Sequence, residues 1–188
     1  VGGAATRGNA SAVAVSGRYA YAAVGRYGLA VIDISNPAAP LQVGGCPVDP
    51  TAPPAEDVVV VGDYAYLAAR SCLAVVDVRV PQNVRVVGWC QGRGIAVGVA
   101  VVGGNAYLAE YWRGTPPQYY GGCLEVIDVT NPVRPKPLGR CELNGYVRGV
   151  TVAGVMFGSK RIQQFCHRNP AVQFRSTTYT HSAEVLAR

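Results

Sequence analysis

Histidine, lysine, methionine and phenylalanine are all scarce in this chain, and so is charge. Of 188 residues only 15% are charged, with two His, one Met and three Phe. Beside 49% hydrophobic residues, that low charge excludes a disordered chain. Long apolar runs are missing too. The most continuous one, Ile95 to Val102, is broken by Gly98 and is far too short to span a bilayer. Both histidines, His167 and His181, fall near the C-terminal end, so the first 154 residues offer no imidazole as general base. No Gly-x-Ser-x-Gly, phosphate-binding glycine loop, His-Glu-x-x-His or Cys-x-x-Cys occurs. A carboxylate pair drawn from Asp49, Glu56, Asp57 and Glu110 is the remaining route to acid–base chemistry, and nothing in their spacing demands it. The chain is therefore expected to be no enzyme, with no catalytic residue, no cofactor and no bound metal. Val1 is not a methionine and no charged segment with a cleavage site precedes the patterned region, so any secretion signal is expected to be removed or not included.

What is abundant is glycine (23), proline (13) and tyrosine (11), which favours many short strands joined by turns. The net charge of +6 divides unevenly: residues 1–154 carry 12 basic against 10 acidic side chains (+2), and residues 155–188 carry 5 against 1 (+4). The body thus has scattered single arginines and no basic groove interleaved with aromatics, and nucleic acid is not an expected partner.

Internal repetition organises the chain. The first copy reads Ala12-Val13-Ala14-Val15-Ser16-Gly17-Arg18-Tyr19-Ala20-Tyr21, then Leu29-Ala30-Val31-Ile32-Asp33, Asn36-Pro37 and Val43-Gly44-Gly45-Cys46. The second has Val58 to Val61, Gly62-Asp63-Tyr64-Ala65-Tyr66, Leu73-Ala74-Val75-Val76-Asp77, Pro81 and Val87-Gly88-Trp89-Cys90. The third has Val99 to Val102, Gly103, Asn105-Ala106-Tyr107, Leu124-Glu125-Val126-Ile127-Asp128, Asn131-Pro132 and Leu138-Gly139-Arg140-Cys141. Each copy holds four strand-like runs, A to D in chain order, within the 40 to 45 residues of a propeller blade. The phrase Leu-x-Val-Ile-Asp-x-Ser-Asn-Pro after a Gly-x-Tyr-Ala-Tyr strand resembles the LVIVD repeat family over residues 1–154. That resemblance implies a β-propeller of the kind found in secreted or surface-attached bacterial and archaeal proteins, and it carries no assigned activity.

The fold expected is all-β, with blades of four antiparallel strands at about 12–46, 56–90 and 95–142, and a partial fourth from 147. That fourth copy opens with Val150-Thr151-Val152-Ala153-Gly154 and then loses the pattern, so residues 155–188 are expected to be an atypical basic segment. Val1-Gly2-Gly3 matches Val43-Gly44-Gly45, as if the chain opens on a D strand. Either that strand completes the last blade and closes a small ring, or the chain is an open or incomplete propeller; four blades is the lower limit for closure.

Most repeated residues read as structural. Asp33, Asp77 and Asp128 each stand four residues before a proline, where an aspartate side chain accepts amide hydrogen bonds in a turn. Tyr19, Tyr21, Tyr64, Tyr66 and Tyr107 alternate along strands and are expected to pack between blades. Gly17, Gly62, Gly103 and Gly154 mark the tight A to B turn. Among six cysteines, Cys72 and Cys90 are 18 residues apart and symmetric about Pro81, and Cys123 and Cys141 are 18 apart and symmetric about Pro132. A symmetric hairpin register would face each pair across two strands, which predicts disulfides Cys72–Cys90 and Cys123–Cys141 and hence a compartment outside a reducing cytosol. Free buried thiols are the alternative. Gly28 stands at the matching site of the first copy, which leaves Cys46 without a hairpin partner, and Cys166 is left over as well. Asn9-Ala10-Ser11 fits the glycosylation acceptor pattern, too common a match to carry weight.

A binding surface is expected where the loops lengthen. In an antiparallel meander the D to A and B to C connections share one end, here carrying Pro47 to Glu56 and an insertion in the third copy. Tyr107 to Val126 spans 19 residues where Tyr66 to Val75 spans 9. The insertion brings Tyr111, Trp112, Arg113, Tyr119 and Tyr120 with Pro116-Pro117, a stiff aromatic segment suited to a protein surface or to stacking on a carbohydrate. The alternative is that these rings cover their own blade. The function expected is a non-enzymatic extracellular, cell-surface or periplasmic binding or scaffolding module, whose partners are a protein or carbohydrate ligand and neighbouring blades. Its rivals are part of a propeller enzyme completed by blades outside this chain, or a truncated product without independent function.

Overall fold

A computed structural model describes residues 2–48, 54–113, 120–153, 172–177 and 180–186. β1 (Ala12–Ser16), β2 (Tyr19–Ala23), β3 (Leu29–Asp33) and β4 (Leu41–Cys46) form one antiparallel four-stranded sheet in chain order. They are runs A to D of the first repeat. Tight A to B turns follow from glycine: Gly17, Gly62 and Gly103 stand at φ 58°, 58° and 57°.

The next six strands form a continuous sheet: β5 (Ala55–Val61), β6 (Tyr64–Asp77), β7 (Arg85–Val102), β8 (Asn105–Arg113), β9 (Tyr120–Asp128) and β10 (Lys136–Asn144). Two long strands hide two blades in it. β6 folds back at Arg70, which takes φ 32°, and the Asp63 carbonyl accepts from Val78 N–H as Arg18 does from Ile34 and Gly104 from Val129. Its halves are therefore B and C of the second blade. β7 supplies D of the second blade and, without a break, A of the third. The third copy thus repeats the A–B–C–D register of the first.

Alternation then builds the core, one face toward each neighbour. Tyr21, Leu29 and Val31 of the first blade meet Leu67, Ala74 and Val76 of the second. Tyr66, Leu73 and Val75 on the second blade's other face meet Leu108 and Ile127 of the third. Tyr107, Leu124 and Val126 meet Val147 and Val150 of β11 (Val147–Ala153). Burying one such leucine contributes about 1.5–3 kcal/mol. The tyrosines pack between blades as their alternation predicted.

Two devices lock the stack, the aspartate-closed turn that the spacing predicted and a contact between copies that it did not. Asp33, Asp77 and Asp128 accept the amides of Ser35 (2.9 Å), Arg79 (3.1 Å) and Thr130 (2.9 Å), closing the turn after strand C. Each turn then touches the preceding copy's D strand: a Cβ on Gly44 would overlap the Pro81 carbonyl, and one on Gly88 the Pro132 carbonyl. Gly2 sits in the same way against Pro37 and Ala38, so the opening residues occupy the place of a D strand beside the first blade.

The predicted disulfides are not formed: Cys90 and Cys123 are free thiols, and Cys72 and Cys141 have other interaction partners. The reason is a β-bulge. Asp77 pairs with Arg85 in the symmetric register, but an irregularity between Val75 and Val76 adds one residue to the D strand, so Cys72 faces Gln91 and Leu73 faces Cys90. The third blade has the same irregularity between Pro137 and Gly139, which sets Cys123 opposite Glu142 and Leu124 opposite Cys141. One inserted residue turns each cysteine pair onto opposite faces of its sheet.

Beyond the third blade the pattern changes. β11 pairs in parallel with β13 (Thr180–Leu186), and β12 (Val172–Thr177) pairs antiparallel with β13. Gly154, Cys166 and both Asn169 and Pro170 lie outside the described residues. No helix among the described residues is long and apolar enough to cross a membrane.

Candidate functional site

The A strands of the second and third copies, and β11, each begin with a bulge at the equivalent place: between Ala55 and Asp57, between Ala96 and Gly98, and between Val147 and Gly149, whereas β1 keeps an unbroken register with β2. The extra residues are Glu56, Val97 and Arg148, and all three line one cavity. Re-aiming a side chain is what such a bulge does. The cavity, about 690 Å³, opens between the inner strands at the end of the stack where the D to A and B to C connections lie. Ser11, Asp57, Tyr146 and Thr151 complete its polar lining.

The inner strands converge to make it. Asp57 accepts the amide of Val58 at 2.8 Å and, across the blade boundary, that of Val99 at 2.9 Å. Burial raises the Asp57 carboxyl above its ordinary value, and these two amides work against that shift. Both oxygens are thus used in holding β5 to β7. Gly98 makes the next approach, since a Cβ there would stand 2.6 Å from the Gly149 Cα. With Asp57 committed to backbone, Glu56 is the acid and Arg148 the base available to a ligand.

The aromatic insertion is partly a longer hairpin. Tyr111, Trp112 and Arg113 extend β8 and pair with Gly122, Gly121 and Tyr120. Tyr111 packs on Tyr146 with ring centroids 4.2 Å apart, and the Arg148 guanidinium lies 5.8 Å from the Tyr146 centroid. A wall of Tyr111, Tyr146 and Arg148 therefore backs the cavity. Trp112 instead lies over Gly121, where a Cβ would run into its indole. Tyr119, Asp49 and the remainder of the insertion lie outside the described residues, as do the side chains of Arg113 and Tyr120.

Sequence reasoning missed a second polar cluster, between the second and third blades. Glu110 is 0% and Glu125 7% exposed, and Glu110 Oε1 and Glu125 Oε2 have no hydrogen-bond partner. The other Glu110 oxygen accepts from Arg93 N–H at 3.3 Å and lies 3.5 Å from the Cys123 thiol. Burial, then the charge of Glu110, raises the Glu125 carboxyl. Burial also raises the Cys90 and Cys123 thiols, with both glutamates adding to it, and burial alone raises Cys46 to about 11. None of the three is a reactive thiolate. The signal was available: Glu110 aligns with Val24 and Ala69, and Glu125 with Ala30 and Ala74, positions the other copies keep apolar. No group of three or more metal-ligating side chains converges among the described residues.

Stacked four-stranded antiparallel blades, joined in register and lining a cavity with their inner strands, define a propeller-like repeat module. Residues 7–47 and 54–90, the first two copies, match the family model described as LVIVD repeat. The third copy shares their strand register. Among solved structures the chain is similar to the computationally designed Ika8 protein (11% identity, 73% of this chain and 37% of that one, TM-score 0.51). It is also similar to the computationally designed Ika4 protein (10% identity, 66% of this chain and 69% of that one, TM-score 0.49). The chain thus spans about a third of the length of Ika8, and at this identity the likeness shows the fold alone. No curated protein matches the chain.

Proposed function

We propose that the chain is a non-enzymatic binding module that engages a protein or carbohydrate ligand at the long-loop end of its blade stack. The observation that carries this reading is the cavity of about 690 Å³ at that end, lined by the bulged residues Glu56, Val97 and Arg148 and backed by the Tyr111–Tyr146 pair. Pockets of about 300–1,000 Å³ with a few convergent polar groups are the usual form of a ligand site. Display outside the cell or in the periplasm is part of the proposal. It rests on the resemblance of the repeats to those of secreted and surface-attached proteins, because the two cysteine pairings expected from the hairpin spacing, Cys72–Cys90 and Cys123–Cys141, are not formed.

Chemical-shift mapping with a panel of short peptides and oligosaccharides tests the location. Binders are expected to move the amides of Ala12, Asp57, Val97 and Arg148, and a Tyr111→Ser, Trp112→Ser double variant that retains its circular dichroism is expected to bind at least tenfold more weakly, the loss of about 1.4 kcal/mol. Shifts confined to the opposite end, around Gly17, Gly62 and Gly103, or a panel without any binder, would sink the reading.

A further inference from the structure

The cavity's charges are arranged by strand, and that order selects a ligand. Glu56 stands on β5 and Arg148 on β11, with Val97 of β7 between them. Neither charge is held in an ion pair, with the other or elsewhere, among the described residues, and Arg148 lies only against the Tyr146 ring. Asp57, the other carboxylate in the lining, is occupied by two amides. The site therefore offers one acid and one base from different strands, apolar Val97 on the strand between them, an aromatic ring at Tyr146 and hydroxyls at Ser11 and Thr151.

We infer that this cavity binds a short peptide with free ends, its ammonium group on Glu56 and its carboxylate on Arg148. The inference rests on the proposed binding role of the long-loop end and names the ligand class for it. A free amino acid fits less well, because its two charges sit on one carbon, whereas here they must reach across an intervening strand. Two or three residues, at about 3.3–3.6 Å each when extended, provide such a separation. The volume also exceeds what one amino acid fills, and peptide N–H and C=O groups would find the hydroxyls of Ser11 and Thr151 on the way. A neutral oligosaccharide would leave both charges without a counterpart, and a polyanion would meet Glu56.

Isothermal titration calorimetry with trialanine as the probe decides it, using the whole chain. Unmodified trialanine is expected to bind, and its N-acetyl and C-amide forms each to bind about tenfold more weakly, the equivalent of one lost charge-assisted hydrogen bond. Glu56→Gln should erase the discrimination against the N-acetyl form and leave that against the amide, and Arg148→Gln should do the reverse. This crossed pattern cannot come from a misfolded variant. Equal binding of blocked and unblocked trialanine overturns the inference, as does no heat with trialanine at about 1 mM. If peptides fail in this way while an oligosaccharide of the panel still shifts Asp57 and Arg148, only the ligand class is wrong; if nothing binds at this end, the binding role falls with it.

Discussion

At the scale of single residues, the most informative side chains are the two buried glutamates that break the repeat. Glu110 and Glu125 face the second blade from positions where the other copies place Val24, Ala69, Ala30 and Ala74, and each leaves one oxygen unpaired. An unpaired buried polar group costs about 1–3 kcal/mol. Burial and the neighbouring Glu110 raise the Glu125 carboxyl above its ordinary 4.5, while Arg140 and Arg93 pull the other way. The folded chain therefore keeps this proton to higher pH than the unfolded chain does. Stability must fall as pH rises from about the ordinary value to the raised one and level off above it. Glu125→Gln removes that loss and gives the interface a donor for Glu110. Urea unfolding at neutral pH is expected to show the variant more stable by about 1–3 kcal/mol, with the gap closing as pH falls below 4.5. A variant less stable at neutral pH would mean that the buried Glu125 carboxylate is compensated.

At the scale of elements, legibility divides between what a strand does alone and what it does against a neighbour. The four runs of each copy, the glycine turns at Gly17, Gly62 and Gly103, and the aspartate-closed turns depend on residues a few positions apart, and spacing disclosed all of them. The cysteine register did not survive because one bulge residue in each D strand is invisible to a count from Pro81 or Pro132. The cavity was hidden for a related reason, since bulges in β5, β7 and β11 decide that Glu56, Val97 and Arg148 turn inward. Contacts between copies were hidden as well. The glycine of Val-Gly-Gly and Val-Gly-Trp recurs because the next blade's proline turn lies against it, a reason that lives about 40 residues downstream. Gly88→Ala should therefore cost about 1–3 kcal/mol by overpacking against Pro132, whose carbonyl carbon would lie 3.2 Å from the new methyl. Gly149→Ala, where no atom stands within 4 Å of an added Cβ, should be neutral in the same thermal melt. Equal melting shifts for the two would refute the blade-locking role of Gly88.

For the whole molecule the blades are not equally joined. The second and third share β7, a single strand from Arg85 to Val102, and one six-stranded sheet. The first is a separate sheet, tied to the second by the face around Leu67, by the Gly44–Pro81 contact and by the isolated bridge from Gly25 to Ala55. In a stack whose stability is a sum of blade and nearest-neighbour terms, the weaker joint opens first. Leu67→Ala and Leu108→Ala each remove a fully buried leucine from an inter-blade core and should cost about 2–5 kcal/mol. They should differ in where that loss is felt. Native-state hydrogen exchange is expected to speed up in Leu67→Ala mainly across β1 to β4 and at Ala55, while β8 to β10 keep the protection of the parent chain. In Leu108→Ala, exchange should rise together in β6 through β10, because the strand shared by the second and third blades transmits opening on one side to the other. The cavity spans both regimes, with Ser11 and Ala12 on the loosely joined blade and Glu56 and Val97 on the tightly joined part, while Arg148 stands on β11 of the third sheet. A ligand that touches both walls should then slow exchange in β1 to β4 of the Leu67→Ala chain. Uniform acceleration over every strand in both variants would show instead a single cooperative unit, in which the break after the first blade has no energetic meaning.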